Sequence, residues 1–256
     1  MRRDPLAGLR ELTGVGPALA RARAAVDDAY RHPALRRRGG EIAAEVSLHA
    51  AVASAALAGS RYGLAEVRAG HPAAVTDPVL NGALRCAEAL PGLVDRWRQA
   101  PRQVLARLHL LAARGVVEDG ALGRPVPGPE LAGRLDALVE LVLAAGQPGL
   151  LRAAVVHGEL LALRAFPGPY GVVARAAARL ELQASGLDPR GLVVTDQAHL
   201  AREPEYVGAA GAYATGTPDG VRAWLRHCAG AVADGAAELT GIADGLRADG
   251  LRRVQR

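Results

Sequence analysis

The chain has 256 residues, 50% of them apolar and 22% charged. That balance excludes a chain disordered throughout, since disorder goes with low hydrophobicity and high net charge. The net charge is +5, and all 31 basic residues are arginines, so no lysine amine is available for Schiff-base chemistry.

The length corresponds to one large domain or two small ones, with a core that needs no staples. One Phe, two Trp and five Tyr leave that core to Leu, Val and Ala, which favours closely packed helices over sheets. Cys86 and Cys228 form no CxxC or Cys/His cluster, so no metal site is expected. They read as buried free thiols of a cytoplasmic protein. No apolar run approaches about 18 residues, so no membrane span is expected. Met1-Arg2-Arg3-Asp4 is followed by no sustained apolar run, so no signal peptide is expected either. The basic balance permits phosphate binding. Nucleic acid is not expected as a partner, because no aromatic platform or recognition motif accompanies the charge.

Helical periodicity dominates in chain order. It predicts a helix over 17–31, ended by His32-Pro33, then a solvated basic loop, Arg36-Arg37-Arg38-Gly39-Gly40. An Ala-rich helix over 41–58 stops at Gly59, and helices follow at 78–88, 91–98 and 101–114. Residues 115–127 break the pattern. Val116-Val117, the Asp119-Gly120 turn signal and Leu122 to Val126 predict a small β-hairpin. Helices resume over 129–145, 149–164, 172–185, 203–214 and 218–245, the last started by Thr217-Pro218-Asp219. The expectation is an all-α fold: an N-terminal helix and basic loop over 1–39, then one helical domain over 40–250 with a hairpin flap.

The informative segment runs from His157 to Arg179 and reads helix, tight loop, helix. Its loop leads into a helix N-terminus, where free N–H groups and the dipole favour an anion. Arg164-Ala165-Phe166-Pro167-Gly168-Pro169-Tyr170-Gly171-Val172-Val173-Ala174-Arg175 has the length of the motif HPFx(D/E)GNGRxxR. It resembles a degenerate copy of that motif, the signature of the Fic (Fido) family, keeping Phe166, Gly171 and Arg175. Ser54-Ala55-Ala56-Leu57-Ala58-Gly59 resembles the family's inhibitory helix, (S/T)xxxE(G/N). The run from Tyr206 through Trp224 is similar to the family's C-terminal helices. The resemblance thus touches about residues 40–240 and implies an α-helical domain with a hairpin flap ahead of the motif.

The resemblance also implies transfer of AMP, or a related phosphate-bearing group, to a protein hydroxyl. The substitutions argue against that activity here. Arg164 stands where the motif has its base, and an arginine stays protonated. Gly168 stands where the acid would hold Mg²⁺ and has no side chain to coordinate it. Pro169-Tyr170-Gly171 replaces the Gly-Asn-Gly anion turn, and Pro169 has no N–H. Val172 replaces the first motif arginine, and Ala58 replaces the inhibitory glutamate that would pair with the second. The ligand-binding candidates are therefore Arg164, Phe166, Gly168, Tyr170, Gly171 and Arg175.

Arg175 reads as a phosphate contact or as an arginine on a solvated helix face. Arg164 reads as a second anion contact or as a helix C-terminal arginine complementing the dipole. Tyr170 reads as a plug in the former nucleotide pocket or as a ring that stacks on a ligand, the plug being preferred. His157 reads as a buried, hydrogen-bonded structural histidine, His109 as a core residue and Glu159 as solvated. Two functions are compatible with these residues. One is a binding or regulatory module with a degenerate active site, whose hairpin flap meets a protein partner by strand addition. The other is a non-canonical enzyme or sensor that holds a nucleotide such as ATP, without a magnesium ligand, through Arg164 and Arg175. A homodimer is also compatible.

Overall fold

The computed structural model describes residues 6–144, 146 and 148–254. Met1-Arg2-Arg3-Asp4 and Ala145, the last residue of the predicted 129–145 helix, lie outside the described residues. Two short helices flank a longer one at the start: α1 (Ala7–Arg10), α2 (Val15–Ala29) and α3 (Ala34–Arg37). Next come α4 (Gly39–Ala56), α5 (Leu64–Arg68), α6 (Pro72–Thr76), α7 (Pro78–Trp97) and α8 (Pro101–Ala113). Beyond residues 114–128 lie α9 (Pro129–Leu143), α10 (Gly149–Leu163) and α11 (Tyr170–Ala184). The chain ends with α12 (Thr195–Ala201), α13 (Glu203–Ala214) and α14 (Pro218–Val254).

At the centre are α10 and α11, packed side by side. Every residue of α10 from Leu150 to Gly158 is buried, which is the pattern of a helix surrounded by others. Around this pair α4 packs on α7 and α12, α7 on α8 and α11, and α14 on α2, α12 and α13. The scarcity of aromatics makes the helices pack closely. At Gly82 a Cβ would lie 2.1 Å from the Ala112 carbonyl oxygen, so α7 and α8 meet backbone to backbone there. A buried ion pair ties the layers together. Arg152 Nε of α10 donates to Glu181 of α11 at 2.6 Å, and Trp97 Nε1 of α7 donates to the same carboxylate at 2.8 Å.

Three expectations need correction. Residues 115–127 form no hairpin: the described residues contain one isolated bridge, Arg114 to Val117, and a 3-10 turn, Asp119–Ala121. Pro125 and Pro127 bring no N–H to a ladder, and the Val126 N–H between them is spent on the Ala165 carbonyl oxygen at 2.8 Å. Residues 78–88 and 91–98 belong to one helix, α7, which runs through Pro91. The basic loop is partly helical. It takes in the end of α3 and the start of α4, and Arg38 pairs with Glu41 in the first turn of α4.

Candidate functional site

The Arg164–Arg175 segment connects the end of α10 to the second turn of α11. Arg164 closes α10 in the left-handed conformation (φ 44°) and is the one non-glycine described residue with positive φ. An L-residue adopts that conformation at a cost, so the surroundings must hold it there. The loop is anchored on both sides. Ala165 and Phe166 are buried, and the Phe166 ring packs on His109 of α8 at 4.9 Å between centroids. His109 Nδ1 accepts from the Gly123 N–H at 2.9 Å, so its other nitrogen, Nε2, donates to the Pro167 carbonyl oxygen, also at 2.9 Å. Burial lowers the proton affinity of this imidazole, in keeping with its neutral, bridging role. His109 thus clips residues 115–127 onto the loop, a task beyond core packing.

Gly168 has φ +75°, and a Cβ there would lie 2.8 Å from Val117 Cγ1. Neither the backbone nor the space admits a side chain at this position. Pro169 caps α11, and Tyr170 starts it. The Arg164 guanidinium lies over the Tyr170 ring, 5.3 Å from its centroid.

Arg175 departs from both readings of it. Its side chain is 3% exposed. Nε donates to Ser54 Oγ at 2.9 Å, Nη2 to the Ser54 carbonyl oxygen at 2.7 Å, and Nη1 to Tyr206 Oη at 3.2 Å. Asp196 Oδ1 of α12 lies 3.6 Å from Nε. Ser54 is in the last turn of α4, so the guanidinium also serves one of the carbonyls that end every helix. The structure therefore does bring the Ser54–Gly59 segment and Arg175 together. It does so through Ser54, while Ala58 lines an adjoining cleft and Gly59 ends the segment at φ +96°.

That cleft, of about 520 Å³, opens between the ends of α4 and α10, the start of α11 and one face of α13. Arg164, Gly168, Tyr170, Gly171 and Arg175 all line it, whereas Phe166 sits in the core beneath. Tyr170 is a wall of this cleft and leaves it open, so the plug reading is corrected. Apart from the two arginines and two tyrosines the lining is aliphatic or glycine and proline, with no carboxylate and no histidine.

Behind the cleft is a cluster that sequence reasoning did not assemble. Tyr206 Oη, which accepts from Arg175, donates to His157 Nε2 at 2.9 Å. His199 Nδ1 faces His227 Nε2 at 3.0 Å, and His227 Nδ1 faces Glu205 at 3.2 Å. Burial lowers the proton affinity of all three histidines. His157 is thus the buried, bonded residue it was read to be. Glu159 is half-buried and accepts from Tyr213 at 2.9 Å and Arg134 at 2.7 Å, contrary to the solvated reading. Among the described residues no group of three or more His, Cys, Asp or Glu is placed to hold a metal ion. No described helix is long and apolar enough to cross a membrane.

Solved structures share this architecture. One is a Fic family protein from Desulfovibrio desulfuricans G20, with a TM-score of 0.68 at 19% identity, covering 87% of this chain and 74% of that one. Another is Fic-1 (residues 134–508) from C. elegans, with a TM-score of 0.68 at 18% identity, covering 89% and 72%. The chain has the Fic fold. No family model matches it, and no curated protein does.

Proposed function

We propose that this protein uses the Fic fold as a binding or regulatory module and does not transfer AMP. The lining of the 520 Å³ cleft carries the reading, because it holds no group able to take a proton from an incoming hydroxyl near neutral pH. The Arg164 guanidinium is a hydrogen-bond donor with no acceptor site. Tyr206 keeps its proton, since burial raises its affinity. A missing general base costs about 10²–10⁴ in rate. Mg²⁺ would find no ligand at Gly168, where a side chain is excluded by φ and by Val117. A nucleotide phosphate would find Pro169 without an N–H and Arg175 with its donors committed to Ser54 and Tyr206. The residues present therefore fit neither group, and a sensor gripping phosphate through Arg164 and Arg175 together would first have to break the Ser54 bonds.

The cleft instead suits a small molecule with an apolar body and one anionic group. The aliphatic faces of α4, α10 and α13 would take the body, and exposed Arg164, backed by the Tyr170 ring, would take the charge. An apolar, anionic fluorescent dye such as anilinonaphthalene sulfonate tests this. The expected result is saturable binding at micromolar dye, weakened about tenfold by Arg164→Ala, the loss of one charged contact. Ala210→Trp, which fills the cleft from α13, should abolish it. Dye binding indifferent to both substitutions would overturn the reading.

A further inference from the structure

We infer that a second cleft, between α2, α13 and α14, is a binding site for a small phosphate-bearing anion. Its volume is about 360 Å³, the scale of a small-molecule site. Three guanidinium groups line it: Arg21 from α2, Arg202 at the start of α13 and Arg226 from α14. Facing them are one carboxylate, Glu205, and one imidazole, His227. The rest of the lining is alanine and glycine, which adds no competing polar group.

The charges do not cancel internally. Glu205 is engaged by His227 at 3.2 Å and lies 3.9 Å from Arg202. Arg202 is paired with Asp234. Arg21 and Arg226 have no hydrogen-bond or ion-pair partner among the described residues. Elsewhere on the surface Arg31, Arg68, Arg102, Arg134 and Arg222 each meet a carboxylate. Other exposed arginines, Arg36 and Arg37 among them, meet none either among the described residues; what sets Arg21 and Arg226 apart is that the two unpaired guanidiniums stand at one cavity.

The arginines are also seated. Arg226 Nε lies over Gly14, 3.5 Å from where a Cβ would be, and Arg202 Nη2 lies over Gly230 at 3.4 Å by the same measure. A Cβ at either glycine would be in ordinary van der Waals contact with the side chain, so both guanidiniums lie close against backbone. Planar guanidinium forks match phosphate oxygens two at a time, and Arg202 is pre-positioned by Asp234. The small floor leaves space for the anion to sit among the three forks.

Calorimetric titration of the full chain with inorganic pyrophosphate tests the inference. The expected result is one saturable site with a Kd below about 1 mM, weakened at least about tenfold in Arg21→Gln/Arg226→Gln by the loss of two charge-assisted contacts. Arg21→Gln alone, a change at an exposed position, should weaken binding several-fold and serves if the double variant folds poorly. Arg36→Gln/Arg37→Gln removes the same charge elsewhere, and Arg164→Gln removes the cation of the first cleft. Both should bind as the parent does. The inference fails if there is no saturable binding, if the Arg21/Arg226 variant is unchanged, or if the Arg36/Arg37 variant weakens equally.

Discussion

Arg175 gives its donors to α4 and α13 instead of to solvent, and this decides what its loss would do. Arg175→Ala leaves Asp196 buried with only Arg179 near it, at 4.0 Å, and strips the Ser54 carbonyl and the Tyr206 hydroxyl of a partner. Removing one member of a buried ion pair costs about 3–5 kcal/mol. In a chain of this size that lowers Tm by about 6–20 °C. Arg164→Ala should leave Tm almost unchanged, because Arg164 is exposed and its ring contact with Tyr170 is a surface one. Thermal denaturation of the two variants checks the contrast, and equal losses would contradict the burial assigned to Arg175. Arg175 and Ser54 were both legible as positions of interest. That they bond to each other across 121 residues was not, since no local periodicity records a contact at that separation. The alternatives weighed for Arg175, a phosphate contact or a solvated face, rest on its charge alone and omit a buried arginine satisfied by a helix end.

At the scale of the element, α7 offers two glycines with opposite environments. Glycine is about 1 kcal/mol worse than alanine in a helix interior, so Gly92→Ala, with nothing within 4 Å of its Cβ, should stabilise the protein by roughly that amount. Gly82→Ala should destabilise it by about 1–3 kcal/mol, because the new methyl meets the Ala112 carbonyl at 2.1 Å and α8 must move. Denaturant titration of both variants reads the two signs, and stabilisation by both would contradict the α7–α8 contact. Most long helices were legible because their apolar spacing and their Gly or Pro stops agree. Two local signals misled. Pro91 reads as a break, yet α7 continues through it, held by packing on α4, α8 and α11. Asp119-Gly120 reads as a hairpin turn, yet Pro125 and Pro127 deny the second arm its donors. The short α12 was missed as well. It carries Asp196 and His199, and its seven residues are too few for a period to register.

In the molecule as a whole, His157, His199 and His227 pack with Tyr206 and Trp224 where α10, α12, α13 and α14 meet. Burial lowers the proton affinity of each, whereas in the unfolded chain they titrate near the ordinary value of 6.5. Below that pH the unfolded chain binds more protons than the folded one. The stability the neutral histidines contribute is therefore fully present above pH 6.5 and is lost progressively as pH falls from there through their folded values. Each such group changes stability by at most about 1.4 kcal/mol per pH unit. Tm should therefore drop by several degrees between about pH 7.5 and pH 5.5. A flat profile over that interval would contradict the neutral cluster.

The same scaffold that gathers these residues gives the chain its likeness to Fic family proteins at under 20% identity. The fold was legible in the order and spacing of its helices. Arg164, Gly168 and Pro169, singled out in the sequence, line the cleft and bring it no carboxylate and no imidazole. Incubating the purified protein with ATP labelled on its α-phosphate, with Mg²⁺ or Mn²⁺ and a hydroxyl-rich protein mixture, tests the central claim most directly. The account predicts no label in any protein, the chain itself included, above a control without it. Label transferred to protein, and lost in Arg175→Ala under conditions where that variant is folded, would contradict it.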